Sequence, residues 1–222
     1  MKKYNKALAA YRKLLQESPR LSVDYTQLQI PDEQKDALVK LKDDFQVTTI
    51  ATGETDFEKI LMLMDYIHRE LFFVGDNITP AADNTYEIMK VRKTGALFCS
   101  FHATVLCEML LSIGIKAVKI TCMPKNADGD QHIAALAYIR ELKKWVFFDP
   151  TFNTYFFDND ETPLSICEIR ERYRNAQEIK FKHIAINKQW ALMMAGLECK
   201  TYDDWYQIYM AKNCFQFEFP TT

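Results

Sequence analysis

Within residues 94–151 the sequence holds a thiol, an imidazole and a carboxylate in an arrangement that can do chemistry together. Cys99 opens a long apolar run, His132 leads into IAALAYI, and Asp149 closes WVFFD. A thiol near a helix N-terminus is biased toward the thiolate, the reactive form, by free amides and the helix dipole. The same amides can hold an oxyanion. An imidazole beside such a thiol can move its proton, and a carboxylate can orient the imidazole.

The elements that must position these groups follow from periodicity. From Cys99, the residues Phe101, Val105, Leu106, Met109, Leu110 and Ile113 recur at helical spacing, and Gly114 supplies a helix stop. The run is apolar nearly all round, which predicts a central helix. Residues 115–123 read as a strand, and 124–131 as a polar loop. Residues 132–139 have the length and continuous apolarity of a strand buried on both faces. A charged turn then returns the chain into a strand ending at Asp149-Pro150-Thr151. His132 lies nine residues before Glu141 and Asp149 eight after it, so a hairpin centred on residues 141–143 sets the two opposite each other.

Each residue has an ordinary reading by itself. A cysteine on an apolar helix is commonly a small core residue, a histidine at a strand end is commonly structural, and Asp-Pro-Thr is a common turn. The conjunction of all three singles out the stretch. His102 is a rival base because it stands three residues after Cys99 on the same helix. His132 is preferred, since a base on a separate strand leaves room for substrate and has Asp149 to orient it.

With Cys99 before its apolar helix, Leu110 to Ala117 (LLSIGIKA), His132 opening a strand and Trp145 to Thr151 (WVFFDPT), residues 85–153 resemble the transglutaminase-like superfamily, a branch of the papain-like fold. The resemblance implies Cys99 as nucleophile, His132 as general base and acid, and Asp149 as orienter of the imidazole. Two positions depart from the family pattern. Gly95 stands four residues before the cysteine, with Leu97 where the family usually has glycine, and Ala134 replaces the aromatic residue usual after the histidine. Trp145, Trp190 and Trp205 all follow the cysteine, so the family's indole oxyanion donor has no counterpart.

The flanks read as helical additions. Residues 2–17 carry Tyr4, Leu8, Tyr11, Leu14 and Leu15 at helical spacing, and Pro31 begins a second helix to about Phe45 with Ala37, Leu38 and Leu41 inward. Capping-box patterns at Thr55/Glu58 and Ser165/Glu168 open two more helices, and Asn84 with Glu87 opens a short one. His68 reads as solvent-facing or core-edge. Residues 153–160 read as an aromatic, acidic loop at the rim of a cleft, and 178–186 as a strand. Thr201 starts a helix with Trp205, Ile208 and Tyr209 inward, and 214–219 alternates as a closing strand. The aromatic cluster of Trp190, Tyr202, Trp205 and Tyr206 reads as core.

Composition narrows the function classes. The 222 residues, 48% hydrophobic and 26% charged, are long enough to bury a sizeable core. A net charge of −2 offers no electrostatic case for nucleic acid or an anionic membrane. No apolar window reaches membrane-span length, and Lys6 and Arg12 interrupt any signal-peptide core. The six cysteines lack staple or zinc spacing, so reduced thiols, no metal and no cofactor are expected, in a cytoplasmic protein.

The sequence therefore predicts an α+β chain with a papain-like/transglutaminase-like core: a nucleophile-bearing helix packed on an antiparallel sheet, with additional N- and C-terminal helices. It reads as one domain over 1–222, with a helical part at 1–83, a catalytic core at 84–160 and C-terminal helices with a closing strand at 161–222. The expected chemistry is cysteine-dependent acyl transfer on a peptide, protein or amide substrate through a thioester, hydrolytic or transamidating. The rival is a non-catalytic peptide-binding or scaffold protein that retains the fold.

Overall fold

The computed structural model describes residues 2–23, 25, 35–71, 78–126, 131–186 and 201–219. Its strands are β1 (Ala117–Met123), β2 (His132–Ile139), β3 (Lys144–Asp149), β4 (Thr154–Phe157), β5 (Lys180–His183) and β6 (Gln216–Glu218). They form one antiparallel sheet in the order β5-β4-β3-β2-β1-β6. The described helices are α1 (Lys2–Glu17), α2 (Lys35–Asp44), α3 (Val47–Ile50), α4 (Asp56–Glu70), α5 (Thr85–Lys90), α6 (Cys99–Ser112), α7 (Ile166–Arg174) and α8 (Tyr202–Asn213).

The helix starts follow their local signals. Thr55 and Glu58 form a reciprocal capping box on α4, and Ser165 and Glu168 do the same on α7. The Asn84 side chain caps α5 through the Glu87 amide. After α6 the chain leaves through Gly114 at φ +80°, a left-handed conformation that favours glycine.

Alternation along β2 and β3 divides the core into two layers. Ala135, Ala137, Ile139, Val146 and Phe148 face one side, with Leu106, Met109 and Leu110 of α6 and Ile60, Leu63, Met64 and Ile67 of α4. Ala134, Leu136 and Phe147 face the other, with Leu8 and Leu15 of α1, Ile166 and Ile169 of α7, and Tyr206 and Met210 of α8. The run IAALAYI is apolar throughout because both faces of β2 are covered. Arg140 Nε donates to Asp56 Oδ2 at 2.7 Å, and the Asp56 amide donates to Glu141 at 2.8 Å. These bonds hold the β2–β3 turn on the start of α4.

Several expectations are corrected. Ala37 is exposed, so the inner face of α2 narrows to buried Leu41 and half-buried Leu38; the expected start at Pro31 lies outside the described residues. Residues 154–157, expected within a loop, form β4, because alternating burial of Thr154 and Phe156 fits a strand between β3 and β5. On α8 the buried residues are Tyr206, Met210, Ala211 and Asn213, while Trp205, Ile208 and Tyr209 are only half-buried. Aromatic and apolar residues are spread over several faces of that helix, so periodicity alone did not select the inward one. Trp190 and Cys199 lie outside the described residues.

Leu106 is completely buried where α6 packs on the sheet. Leu106→Ala should lower unfolding stability by about 2–5 kcal/mol, measured by urea denaturation. Val39→Ala, at a residue 53% exposed, should change it by less than about 0.5 kcal/mol.

Candidate active site

Cys99 is the first residue of α6, after a Phe98 N-cap whose side chain makes no capping bond. The Phe101 amide donates to the Phe98 carbonyl at 3.0 Å, which leaves the amides of Cys99 and Ser100 as the first-turn donors outside the helix ladder. The approach to Cys99 is tight. A Cβ on Gly95 would meet the carbonyl oxygens of Ile78 and Val91 at 3.0 Å, so a larger residue there would push that approach apart. The Ala96 amide donates to the same Ile78 carbonyl at 3.2 Å. Alongside, Asp83 accepts bonds from Thr104 Oγ1 on α6 and Lys119 Nζ on β1, both at 2.7 Å, tying the preceding loop to helix and sheet.

His132 and Asp149 share one face of the sheet. The β2–β3 register pairs Ala135 with Phe148. One step further, Asp149 stands across from Ala134, two residues along the same face from His132. The pair is thus diagonal rather than directly opposite, a spacing of about 7–8 Å between backbones that the two side chains bridge. His132 Nε2 lies 2.8 Å from Asp149 Oδ2, with the ring 1% and the carboxylate 0% exposed. Using Nε2 for the carboxylate leaves Nδ1 as the nitrogen that can serve the thiol.

Cys99 reaches this pair around the end of the sheet. Its helix packs on one face, whereas His132 and Asp149 point to the other. His132 is the first residue of β2, so the two layers meet there. The Ile133 amide donates to Cys99 Sγ at 3.4 Å, and His132, the residue before it, stands close enough to act on the thiol's ionisation. The structure therefore brings all three sequence-predicted residues together.

Electrostatics bind the three groups. Burial works against an imidazolium at His132, but the Asp149 charge and hydrogen bond, followed by Cys99, raise it to about 10. Burial likewise resists a thiolate at Cys99. The His132 hydrogen bond and charge, with the Ile133 amide, prevail and bring the thiol below its ordinary value. Such a thiol and imidazole titrate as a pair.

The other three histidines differ. His102 is 1% exposed and points Nδ1 back at the Phe98 carbonyl, 3.1 Å away, while burial pushes it down to about 4. Burial also lowers His68 and His183. His68, expected at the solvent or the core edge, is 8% exposed.

Tyr206 is the contact that the sequence reading missed. Its hydroxyl donates to Asp149 Oδ2 at 2.8 Å, the oxygen His132 also uses, and the Phe152 amide donates to Oδ1 at 3.2 Å. The only sequence signal was a tyrosine four residues before Met210 on an aromatic-rich helix, which marks a packed face and no particular acceptor. Among the described residues no group of three or more His, Cys, Asp or Glu could hold a metal ion, and no helix is long and apolar enough to cross a membrane. Cys99, Cys107, Cys122, Cys167 and Cys214 are free.

A cysteine opening a central helix, packed on an antiparallel sheet that presents a histidine–aspartate pair, fits the papain-like, transglutaminase-like fold. Residues 43–150 match the model of the Transglutaminase-like superfamily. The match contains Cys99, His132 and Asp149 and ends before α7, β5 and α8. Among solved structures, a protein of Cytophaga hutchinsonii provisionally named a cysteine protease is 16% identical, with a TM-score of 0.44 over 79% of this chain and 62% of that one. A provisionally named protease of Parabacteroides distasonis is 19% identical, with a TM-score of 0.35 over 65% of this chain and 26% of that one. The chain thus spans less than two thirds of either neighbour's length. Comparison with curated proteins finds no match.

The buried neutral His102 gives a signed pH dependence. Between the ordinary 6.5 and about 4, the unfolded chain binds a proton that native His102 refuses, so stability falls as pH drops through that window. This contribution is complete above 6.5, and the full span is worth on the order of 3 kcal/mol. Urea unfolding at pH 7 and pH 5 should show the loss, and His102→Gln should reduce the difference.

Proposed function

We propose that this protein performs cysteine-dependent acyl transfer on an amide or peptide bond, with Cys99 as nucleophile, His132 as base and acid, and Asp149 as the imidazole's orienter. The observation that carries the reading is the chain of contacts from a half-buried thiol at a helix N-terminus, through His132, to a carboxylate with no solvent exposure. The thiolate attacks the amide carbon, and the Cys99 and Ser100 amides at the start of α6 are the candidate donors to the developing oxyanion. Imidazolium gives its proton to the leaving nitrogen, the C–N bond breaks, and a thioester remains on Cys99. His132 then deprotonates the second nucleophile, which attacks the thioester and releases the thiolate. Water makes the reaction hydrolytic and a primary amine makes it a transamidation; the products formed with and without added amine separate the two. His102 is not assigned as base, because its Nδ1 is engaged by Phe98 and burial keeps the ring neutral.

Mass spectrometry after treatment with a thiol-directed electrophilic probe tests the reading, with Cys99 expected as the labelled residue. Cys99→Ala should abolish turnover while leaving the melting temperature nearly unchanged; retained turnover would refute the assignment. His132→Ala should lose about 10²–10⁴-fold in rate, far more than His102→Ala, and comparable losses would overturn the choice of base. Alkylation of Cys99 should proceed at a pH well below that needed by an ordinary thiol, about 8.5. In His132→Ala that curve should move to higher pH, and superimposable curves would remove the coupling on which the mechanism rests.

A further inference from the structure

We propose that Tyr206 is a positioning residue for this site, holding Asp149 and tempering its charge so that His132 can release its proton; the inference rests on the acyl-transfer reading. Two donors converge on one buried oxygen: Tyr206 Oη and His132 Nε2 each lie 2.8 Å from Asp149 Oδ2. Tyr206 has no solvent exposure, and its ring is enclosed by Phe152, Phe156, Phe181 and His183 at centroid distances of 5.4, 5.8, 5.5 and 5.2 Å. That cage fixes where the hydroxyl points. Burial and the Asp149 charge push the phenol's ionisation well up, so it remains a donor across the working range.

The chemical consequence has a definite sign. A hydroxyl donating to the carboxylate places the positive end of its dipole beside the imidazole's partner. It therefore weakens the pull of Asp149 on the His132 proton. Without it, His132 becomes more basic and a poorer acid toward a leaving amine. The hydroxyl and the Phe152 amide also anchor the two carboxylate oxygens separately, which resists rotation of the group. Tyr206 lies in α8, beyond the matched segment 43–150, so the C-terminal part of the chain supplies this contact.

Tyr206→Phe in the full chain removes the hydroxyl and keeps the ring. The reading is the NMR titration of the His132 imidazole, which needs no substrate, with Cys99 alkylation by iodoacetamide followed in parallel. The expected result is an upward shift of the imidazolium midpoint by about 0.5–1 pH unit. Phe181→Leu, a packing change in the same cage, should lower stability without that shift. An unchanged or lowered midpoint in folded Tyr206→Phe, or an equal shift in Phe181→Leu, would overturn the proposal and leave Tyr206 a core residue. If Tyr206→Phe does not fold, 3-fluorotyrosine at position 206 keeps the shape and donates more strongly. The midpoint should then fall, and no movement would be equally decisive against the proposal. Failure of the acyl-transfer reading shows separately, as ordinary reactivity of Cys99 in the wild-type protein.

Discussion

A carboxylate with no access to solvent imposes the strictest condition on this structure. An ionised Asp149 in the interior is tolerable only if its oxygens are met by donors. Those donors come from three places in the chain: His132 at the start of β2, Phe152 just after β3, and Tyr206 on α8. Satisfying them constrains the β2–β3 register, the turn that follows Asp149 and the seating of the C-terminal helix. A one-residue slip of β3 would turn Asp149 to the opposite face of the sheet, where the α6 layer is apolar and none of these partners waits.

The second constraint is that the thiol and the imidazole belong to different layers. Cys99 rides on a helix packed against one face, while His132 points from the other. They can meet only where the sheet ends, which explains why the histidine is the first residue of its strand and the cysteine the first of its helix. Away from that edge the backbone of the sheet would separate them. The same edge placement leaves Cys99 half-buried, while His132 and Asp149 are almost completely enclosed.

Much of this was legible in local patterns. The capping boxes at Thr55 and Ser165, the stop at Gly114, and the continuous apolarity of residues 133–139 are one-dimensional signals, and each corresponds to a helix start, a helix end or a doubly covered strand. Where the pattern was ambiguous the reading went astray. Ala37 carries too little apolar surface to reveal its side of α2. Phe156 sits among aromatic and acidic neighbours that look like a loop until β3 and β5 pair with it. On α8, aromatic residues spread over several faces point as readily to Trp205 as to Tyr206, and packing turned Tyr206 inward.

By itself the sequence determined which groups were available and the elements that carry them: a thiol opening an apolar helix, and an imidazole and a carboxylate at facing ends of a hairpin. Those depend on patterns along single elements and one short turn, so periodicity and capping residues are enough to read them. Only the tertiary structure decided that the hairpin pair is diagonal, that His102 turns back into its own helix, and that the hydroxyl reaching Asp149 comes from a tyrosine 57 positions later in the chain. Register and helix seating are set by the summed packing of both layers and by the need to satisfy one buried charge. No local stretch of sequence encodes either.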